Sequence, residues 1–221
     1  MKTCIAMSVN NLCVNHDAYL AVKEIIKPGM KVLNIPFASD LHWQLNSNKE
    51  NHISNHLKMF EPFGIIRKDF DILHLFDSPS VMIRKICAAD IIYFSGGYME
   101  NLMYLIELTG IDEYINCIKA NKIFIGESAG ALCLQSFYYE VPFIEDHYNK
   151  FKKGKGLGLL ELDKTLIAHY NFNNKDHEAM SHKLKLISHN TPIIALTDET
   201  ILIQTENNIN IYGTGGVLPC L

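Results

Sequence analysis

The chain has 221 residues, a length that fits one domain and is sufficient to bury a hydrophobic core. Hydrophobic residues make up 48% of the chain and charged residues 20%, which excludes a disordered, collagen-like or coiled-coil protein. The formal net charge is −4, so the chain lacks the net positive charge that nucleic-acid binding normally requires, and no nucleic-acid partner is expected.

Short apolar runs typical of β-strands alternate along the chain with longer segments in which apolar residues recur at helical spacing. Strands are predicted over Cys4–Val9, Val32–Phe37, Ile72–Phe76, Ile91–Phe94, Ile123–Ile125, Leu166–Ala168, Pro192–Leu196 and Ile201–Gln204. Helices are predicted over Ala18–Ile26, Ile53–Phe60, Ser80–Ala88, Met99–Ala120 and His177–His189. The strands are continuously apolar, as in a parallel sheet covered by helices on both faces. The pattern therefore predicts an α/β fold with a mostly parallel central sheet, in a single domain over residues 1–221.

Two further segments complete this outline. Lys152–Gly158, with the sequence KKGKGLG, is predicted to be a mobile loop inside the domain. The tail from Pro192 to Leu221 contains short strands, with turns at Asn207–Asn208 and Gly213–Gly216, and is predicted to form a small antiparallel extension.

The cysteines and the apolar segments bear on location and on metal binding. The six cysteines are Cys4, Cys13, Cys87, Cys117, Cys133 and Cys220. None forms a pair with metal-ligand spacing, so reduced thiols and no metal site are expected. The apolar start is too short for a signal-peptide core, and no stretch approaches the roughly 18 apolar residues of a membrane span. We therefore expect a cytoplasmic protein that does not bind a membrane.

The segment with the clearest chemical content is an apolar strand that runs into the G-x-S-x-G sequence Gly126-Glu-Ser-Ala-Gly130 and then into a helix-compatible stretch. In a nucleophile elbow the serine sits on a sharp strand-to-helix turn, and glycines on either side let the backbone bend and pack closely. Ser128 is therefore the candidate nucleophile. The backbone N–H of Ala129 would lie at the start of the helix, where it can stabilise an oxyanion.

A second glycine-containing loop, Ser95-Gly-Gly97, follows the predicted strand Ile91–Phe94. Glycines at the carboxyl end of a parallel strand let a peptide N–H approach a ligand, and this is the edge of the sheet where open α/β folds bind their ligands. Gly97 is therefore the second candidate oxyanion donor, although a simple strand-to-helix turn would also explain one of these glycines.

A serine nucleophile needs a base and a carboxylate that orients the base. Among ten histidines, His169 is the candidate base because it closes the apolar run Leu166–Ala168, at a strand end like Ser128. The carboxylates between serine and base are Glu140, Glu145, Asp146, Glu161 and Asp163. Glu140 is favoured as the acid because it lies between an aromatic run and Val141-Pro142, at a strand or turn, and Asp146 is the reserve.

In these motifs the chain resembles the serine peptidase family of dipeptidase E and cyanophycinase. The resemblance rests on the Ser95-Gly-Gly97 loop, the elbow, the stretch Gly156–Leu160 and the sequence Ala168-His-Tyr170, in the order of that family. It implies a three-layer α/β sandwich akin to the class I glutamine amidotransferases. It also implies cofactor-free hydrolysis of small peptides by Ser128, His169 and Glu140, with an oxyanion hole formed by Gly97 and Ala129.

Two departures from dipeptidase E concern specificity. Tyr98-Met99 follows the glycine loop where dipeptidase E has Asn-Thr, and the segment after His169 lacks the arginines that suit an aspartyl carboxylate. The resemblance therefore does not extend to a preference for N-terminal aspartate, and both exo- and endopeptidase action remain open. The 11 Phe and 10 Tyr residues leave apolar material for a homodimer interface.

Two other functions are compatible with the elbow. An esterase of the α/β-hydrolase fold shares G-x-S-x-G, although the sequence has no His-Gly-Gly-Gly oxyanion motif. A non-catalytic domain that binds a small molecule could also keep an amidotransferase-like fold, because fold does not determine function. A glutaminase is disfavoured because its nucleophile is normally cysteine, and Cys133 is expected to point into the helix packing.

Overall fold

The computed structural model describes residues 2–39, 49–140, 152–187, 191–206 and 208–218. The helices are α1 (His16–Ile25), α2 (Lys49–Phe60), α3 (Pro79–Ala88), α4 (Met99–Thr109), α5 (Ile111–Ile118), α6 (Ala129–Cys133) and α7 (Lys175–Ile187), with 3-10 turns at Glu61–Phe63, Arg67–Asp69 and Lys119–Asn121. The strands are β1 (Thr3–Met7), β2 (Val32–Ile35), β3 (Phe70–Ile72), β4 (Ile91–Phe94), β5 (Ile123–Glu127), β6 (Phe137–Glu140), β7 (Lys152–Lys155), β8 (Thr165–Ile167), β9 (Ile193–Ala195), β10 (Thr200–Gln204), β11 (Ile209–Gly213) and β12 (Gly216–Leu218). No helix in these ranges is long and apolar enough to cross a membrane.

A seven-stranded central sheet organises the fold, with the strand order β11-β10-β1-β5-β4-β2-β3. The five strands β1, β5, β4, β2 and β3 run parallel to one another. Strands β10 and β11 extend the sheet as an antiparallel pair beside β1. The predicted α/β fold with a mostly parallel central sheet is therefore confirmed. Of the tail predicted as an antiparallel extension, β10 and β11 form such a pair at one edge of this sheet, whereas β9 pairs in parallel with β8 in a second sheet, and Asn207 of the predicted turn lies outside the described residues.

Side chains from each face of the sheet enter a different hydrophobic cluster, as the alternation of strand side chains requires. In β1, Cys4 and Ala6 belong to one cluster, together with buried residues of α3, α4 and α5. Ile5 and Met7 belong to the other, together with buried residues of α1 and α2. The inner strands β1, β2 and β4 are buried along their whole length because helices cover both faces of the sheet, which gives three layers, whereas the edge strand β11 is largely exposed.

Three predicted elements differ from the structure. The predicted helix Met99–Ala120 is divided at Gly110, whose φ of 65° suits glycine and cannot continue a right-handed helix. The predicted strand Ile72–Phe76 ends at Ile72, because residues 74–77 form a turn in which Asp77 accepts a hydrogen bond from the His74 N–H. Only Ile72 is common to the predicted and the observed strand.

The predicted loop Lys152–Gly158 is the third difference, since its first half is strand β7, paired antiparallel with β6. Gly154 makes this pairing close, because a Cβ at that position would lie 2.2 Å from the Tyr138 ring. The glycine- and lysine-rich segment Lys152–Lys155 is therefore a strand, and glycine at position 154 leaves room for the Tyr138 ring.

A second, three-stranded sheet has the order β12-β9-β8, with β8 and β9 parallel. Its hydrophobic cluster includes Ile167, Ile193 and Leu218 from the strands, with Met180 and Leu184 from α7. The register pairs Ile167 with Ala195, so the carboxyl ends of β8 and β9 lie side by side. Residues that follow these two strands are therefore brought together.

Candidate active site

Three strands of the central sheet end at the same edge and supply the backbone of the site. The loop Ser95–Gly97 follows β4, Ser128 follows β5, and Ser8 follows β1. Because neighbouring parallel strands have their carboxyl ends together, these segments are adjacent, and Ser128 N–H donates to the Met7 carbonyl at 2.9 Å. The sequence predicts ligand binding at the carboxyl ends of the parallel strands, and the segments that follow β1, β4 and β5 meet at this edge.

Ser128 sits on a sharp turn between β5 and α6 with a φ of 50°, an uncommon conformation for a non-glycine residue. Two glycines permit this turn. A Cβ on Gly126 would lie 2.3 Å from the carbonyl oxygen of Gly130, and a Cβ on Gly130 would lie 2.0 Å from the carbonyl oxygen of Phe94. The geometry has the features of a nucleophile elbow, with close packing at both glycines.

His169 also has a positive φ, 56°, and in the described part of the chain it and Ser128 are the two non-glycine residues with this feature. Such conformations cost roughly 1–3 kcal/mol each and persist only where the surroundings hold them. Ser8 supplies part of that hold, since its hydroxyl accepts from the His169 N–H at 2.9 Å and donates to the Leu196 carbonyl at 2.8 Å. His169 Nε2 lies 2.9 Å from Ser128 Oγ.

The other ring nitrogen of His169, Nδ1, lies 2.9 Å from Oδ1 of Asp198. Asp198 thus occupies the position that the sequence analysis assigned to Glu140, with Asp146 in reserve. Glu140 is the last residue of β6 and its side chain, like all of Asp146, lies outside the described residues. The cause of the difference is the parallel pairing of β8 with β9, which places residues 169 and 198 at adjacent strand ends.

The backbone N–H groups of the two predicted oxyanion donors are not used in hydrogen bonds to the part of the chain that the structure describes. Within the described residues, the N–H of Gly97 and that of Ala129 make no hydrogen bond, although their neighbours Tyr98 and Ser128 both do. Gly97 has a φ of 140°, and a Cβ there would lie 2.3 Å from the Ala38 carbonyl oxygen, so the position requires glycine. Two free donors beside a nucleophile are what an oxyanion hole requires.

A buried polar network extends from the elbow into the protein. The Tyr93 hydroxyl donates to Oε2 of Glu127, and Nδ1 of His56 lies 3.0 Å from the same hydroxyl oxygen. Nδ1 of His56 also lies 3.4 Å from the Asn10 amide nitrogen, so the ring tautomer decides which of these two contacts it donates to or accepts from. Burial raises the pKa of Glu127, an effect partly offset by the bond from Tyr93, and burial lowers the pKa of His56 to about 4.

The lowered pKa of His56 predicts how stability depends on pH. The unfolded chain takes up a proton at His56 below pH 6.5, whereas the folded protein resists this until about pH 4, so stability falls as the pH drops through this window. Denaturant unfolding at pH 7.5 and 4.5 should show a loss about 2–3 kcal/mol larger in the wild type than in His56→Gln, which has no titrating ring. Parallel pH dependences of the two proteins would contradict this.

Cys133 is excluded as an alternative nucleophile. Its side chain is fully buried, its thiol donates to the Gly130 carbonyl at 3.1 Å, and burial raises its pKa well above the ordinary value for cysteine. The thiolate, which is the nucleophilic form, is therefore suppressed. The expectation that Cys133 points into the helix packing is confirmed.

A cleft of about 530 Å³ opens directly beside the histidine. Its described lining consists of His169, Tyr170, Asn171, Phe172, Asn173, Thr197, Asp198, Glu199 and Thr214. This lining contains two carboxylates and neither lysine nor arginine.

The model of peptidase family S51 matches residues 10–212. The chain belongs to peptidase family S51. This S51 peptidase is thus one of the serine-type peptidases, as the resemblance in its motifs implied. A comparison with curated protein sequences gave no match.

Solved structures share the fold of this S51 peptidase over nearly its whole length. A protein from Listeria monocytogenes EGD-e, named as a candidate peptidase E, has 19% sequence identity and a TM-score of 0.70, and the match covers 97% of this chain and 99% of that chain. A peptidase from an acI-B1 Actinobacterium has 18% identity and a TM-score of 0.64, covering 99% of this chain and 94% of that chain. These two likenesses concern the fold.

Three residues of the site in this S51 peptidase were missed by the sequence analysis. Asp198 follows an apolar strand, as His169 does, and this signal could have identified it had carboxylates after the histidine been considered. Ser8 likewise follows β1. Glu127 lies inside the elbow itself, but nothing in the sequence indicates that it is half-buried or bonded to Tyr93.

Proposed function

We propose that this S51 peptidase hydrolyses small peptides through the triad Ser128, His169 and Asp198, with the N–H groups of Gly97 and Ala129 as the oxyanion hole. The observation that carries the proposal is a pair of 2.9 Å contacts made by the two ring nitrogens of His169. Nε2 contacts Ser128 Oγ, and Nδ1 contacts Asp198 Oδ1. Triads are recognised by this geometry and not by sequence order.

In the first half of the reaction, Ser128 Oγ attacks the carbonyl carbon of a peptide bond while His169 Nε2 takes the hydroxyl proton. The carbonyl oxygen becomes an oxyanion that accepts hydrogen bonds from Gly97 and Ala129 N–H. Asp198 stabilises the imidazolium and holds Nε2 toward the serine. When the C–N bond breaks, His169 gives its proton to the leaving nitrogen, and an acyl-enzyme on Ser128 remains.

In the second half, His169 takes a proton from water as the water oxygen attacks the ester carbonyl of the acyl-enzyme. The same two N–H groups receive the second oxyanion. The ester C–O bond then breaks, the proton on His169 returns to Ser128 Oγ, and the carboxylic acid product leaves. The cycle uses no group beyond these residues and water.

Both alternative functions are weaker than this proposal. The esterase of the α/β-hydrolase fold was suggested only by G-x-S-x-G, whereas the family model matches 203 of the 221 residues to a peptidase family, since residues 10 to 212 are matched. A non-catalytic binding domain would have been favoured by a serine and histidine beyond hydrogen-bond reach, and the two atoms lie 2.9 Å apart.

The cleft beside His169 supports a further part of the proposal, namely that acidic peptides are poor substrates. Asp198 and Glu199 line the cleft, and a nearby carboxylate on the substrate would be repelled by about 1 kcal/mol after solvent screening, roughly a fivefold effect on rate. Mass-spectrometric assay of a dipeptide panel should therefore show faster cleavage of Ala-Ala and Lys-Ala than of Asp-Ala and Ala-Asp.

The same dipeptide panel, extended with p-nitrophenyl esters, tests the peptidase proposal as a whole. Glu199→Gln should narrow the difference between neutral and acidic dipeptides without abolishing turnover. Fastest cleavage of Asp-Ala would contradict the assignment of the cleft, and hydrolysis of p-nitrophenyl esters without cleavage of any peptide would contradict the peptidase proposal.

A further inference from the structure

Ser8, the residue that follows β1, connects the segments that carry the triad. Its side chain is buried, and its hydroxyl accepts from the His169 N–H at 2.9 Å and donates to the Leu196 carbonyl at 2.8 Å. Leu196 lies two residues before Asp198. The neighbouring Met7 carbonyl accepts from the N–H of the nucleophile. Two consecutive residues at the end of β1 therefore contact the segments of the nucleophile, the base and the acid.

The hydroxyl of Ser8 takes the place of a direct hydrogen bond between two strand ends. β8 and β9 pair in parallel, and continued pairing would place Leu196 opposite residue 168. In a regular parallel ladder, the N–H of Leu196 donates to Ile167 and its carbonyl accepts from residue 169. The first of these bonds is formed, at 2.8 Å, but the Leu196 carbonyl accepts from the Tyr170 N–H at 2.9 Å. Ser8 thus lies between the His169 N–H and the carbonyl to which a regular ladder would direct it.

The displaced hydrogen bond accounts for the orientation of His169. The chain has one residue more here than the regular ladder accommodates, so it bulges, and the positive φ of 56° lies in this bulge. The bulge directs the imidazole to the nucleophile, with Nε2 2.9 Å from Ser128 Oγ. If the N–H bonded directly to the Leu196 carbonyl, residue 169 would take the extended conformation of a strand and its side chain would point in a different direction. A displacement of about 1 Å at a reacting group costs roughly 100-fold in rate.

We propose that Ser8 is a positioning residue for the base: its hydroxyl keeps His169 out of the ladder between β8 and β9 and thereby directs the imidazole to Ser128. The inference rests on the proposed function, because it assumes that His169 activates the serine. Ser8 itself takes no part in the transfer of protons or of the acyl group. Loss of its hydroxyl should therefore lower kcat with little change in KM.

The test measures the rate at which a small fluorophosphonate labels Ser128 in the wild type, Ser8→Ala and Gln135→Met. Gln135 is the matched control because it is also buried and its Oε1 accepts from the Leu166 N–H at 2.7 Å, in β8 and three residues before His169. Methionine keeps the length of the side chain but has no strong acceptor. Ser8→Ala should label roughly 10- to 100-fold more slowly than the wild type. Gln135→Met should label within about threefold of the wild type, although it loses at least as much thermal stability as Ser8→Ala.

A double-mutant cycle with His169→Ala separates positioning of the base from general support of the fold. Because Ser8 acts through the histidine, the double variant Ser8→Ala, His169→Ala should label within about threefold of His169→Ala alone. A further slowing by the factor seen with His169 present would overturn the inference and leave the proposed function intact, as would wild-type labelling in Ser8→Ala or equal losses in Ser8→Ala and Gln135→Met. Ser8→Cys, whose thiol is a weak acceptor, replaces Ser8→Ala if the alanine variant does not fold. A wild type that does not label would overturn both.

Discussion

Ser128→Ala should abolish peptide hydrolysis while the protein stays folded. Without Oγ no acyl-enzyme forms, and kcat should fall by roughly 10⁴-fold or more, because a triad works as a unit. Alanine keeps the Cβ and the backbone conformation at φ 50°, so the variant loses only the hydrogen bond to His169. Thermal unfolding within a few degrees of the wild type, together with the lost turnover, is the expected result.

Ser136→Ala is a matched control for this variant. Ser136 is exposed, and its backbone carbonyl accepts from Gly156, a bond that the substitution keeps. It should retain wild-type turnover. Residual activity in Ser128→Ala above about 1% of the wild type, in protein free of contaminating peptidase, would show that another group is the nucleophile.

Asp198→Asn should lower kcat by roughly 100- to 1,000-fold with little change in KM. An asparagine amide offers Nδ1 of His169 no charge and permits the wrong ring tautomer. The Asp198 side chain is 65% exposed, so solvent screens its charge, and the loss should be smaller than that for a buried triad aspartate. Steady-state kinetics with a neutral dipeptide measure this effect.

Glu140→Gln and Glu199→Gln are the controls for the assignment of Asp198 as the carboxylate of the triad. Glu199 is adjacent to Asp198 and exposed in the same cleft, which makes it the matched carboxylate. Both variants should keep kcat for a neutral dipeptide within about threefold of the wild type if Asp198 is the acid. A large loss in Glu140→Gln with nearly wild-type Asp198→Asn would return the role to the residue predicted from the sequence.

The parts of the fold and the site that could be predicted from the sequence depend on residues that lie close together along the chain. Ser128 is recognisable because strand, glycines and helix follow one another within about ten residues. His169 is recognisable because it closes an apolar run. The division of the long helix at Gly110 was missed because a single glycine is tolerated in many helices, and only its φ of 65° ends this one.

The parts that could not be predicted depend on contacts between distant segments. The acid was sought between serine and histidine, yet the register of β8 with β9 brings Asp198 to the histidine from 29 residues further along the chain. Tyr93 and Glu127 are 34 residues apart and meet only because β4 and β5 pair. The pairing of β4 with β5 leaves no signal at Tyr93 or Glu127, whereas the apolar run before Asp198 is a local signal that the search between serine and histidine did not cover.

The most direct test of the account is to treat the wild-type protein with a fluorophosphonate and locate the adduct by peptide mass spectrometry. Treatment should attach one phosphonyl group per chain, at Ser128, and Ser128→Ala should carry no adduct. Since the proposed role of His169 is to activate the serine, His169→Ala should label at least 100-fold more slowly. An adduct on a different residue, or none on a folded wild-type protein, would contradict the claim that Ser128 is the nucleophile of this S51 peptidase.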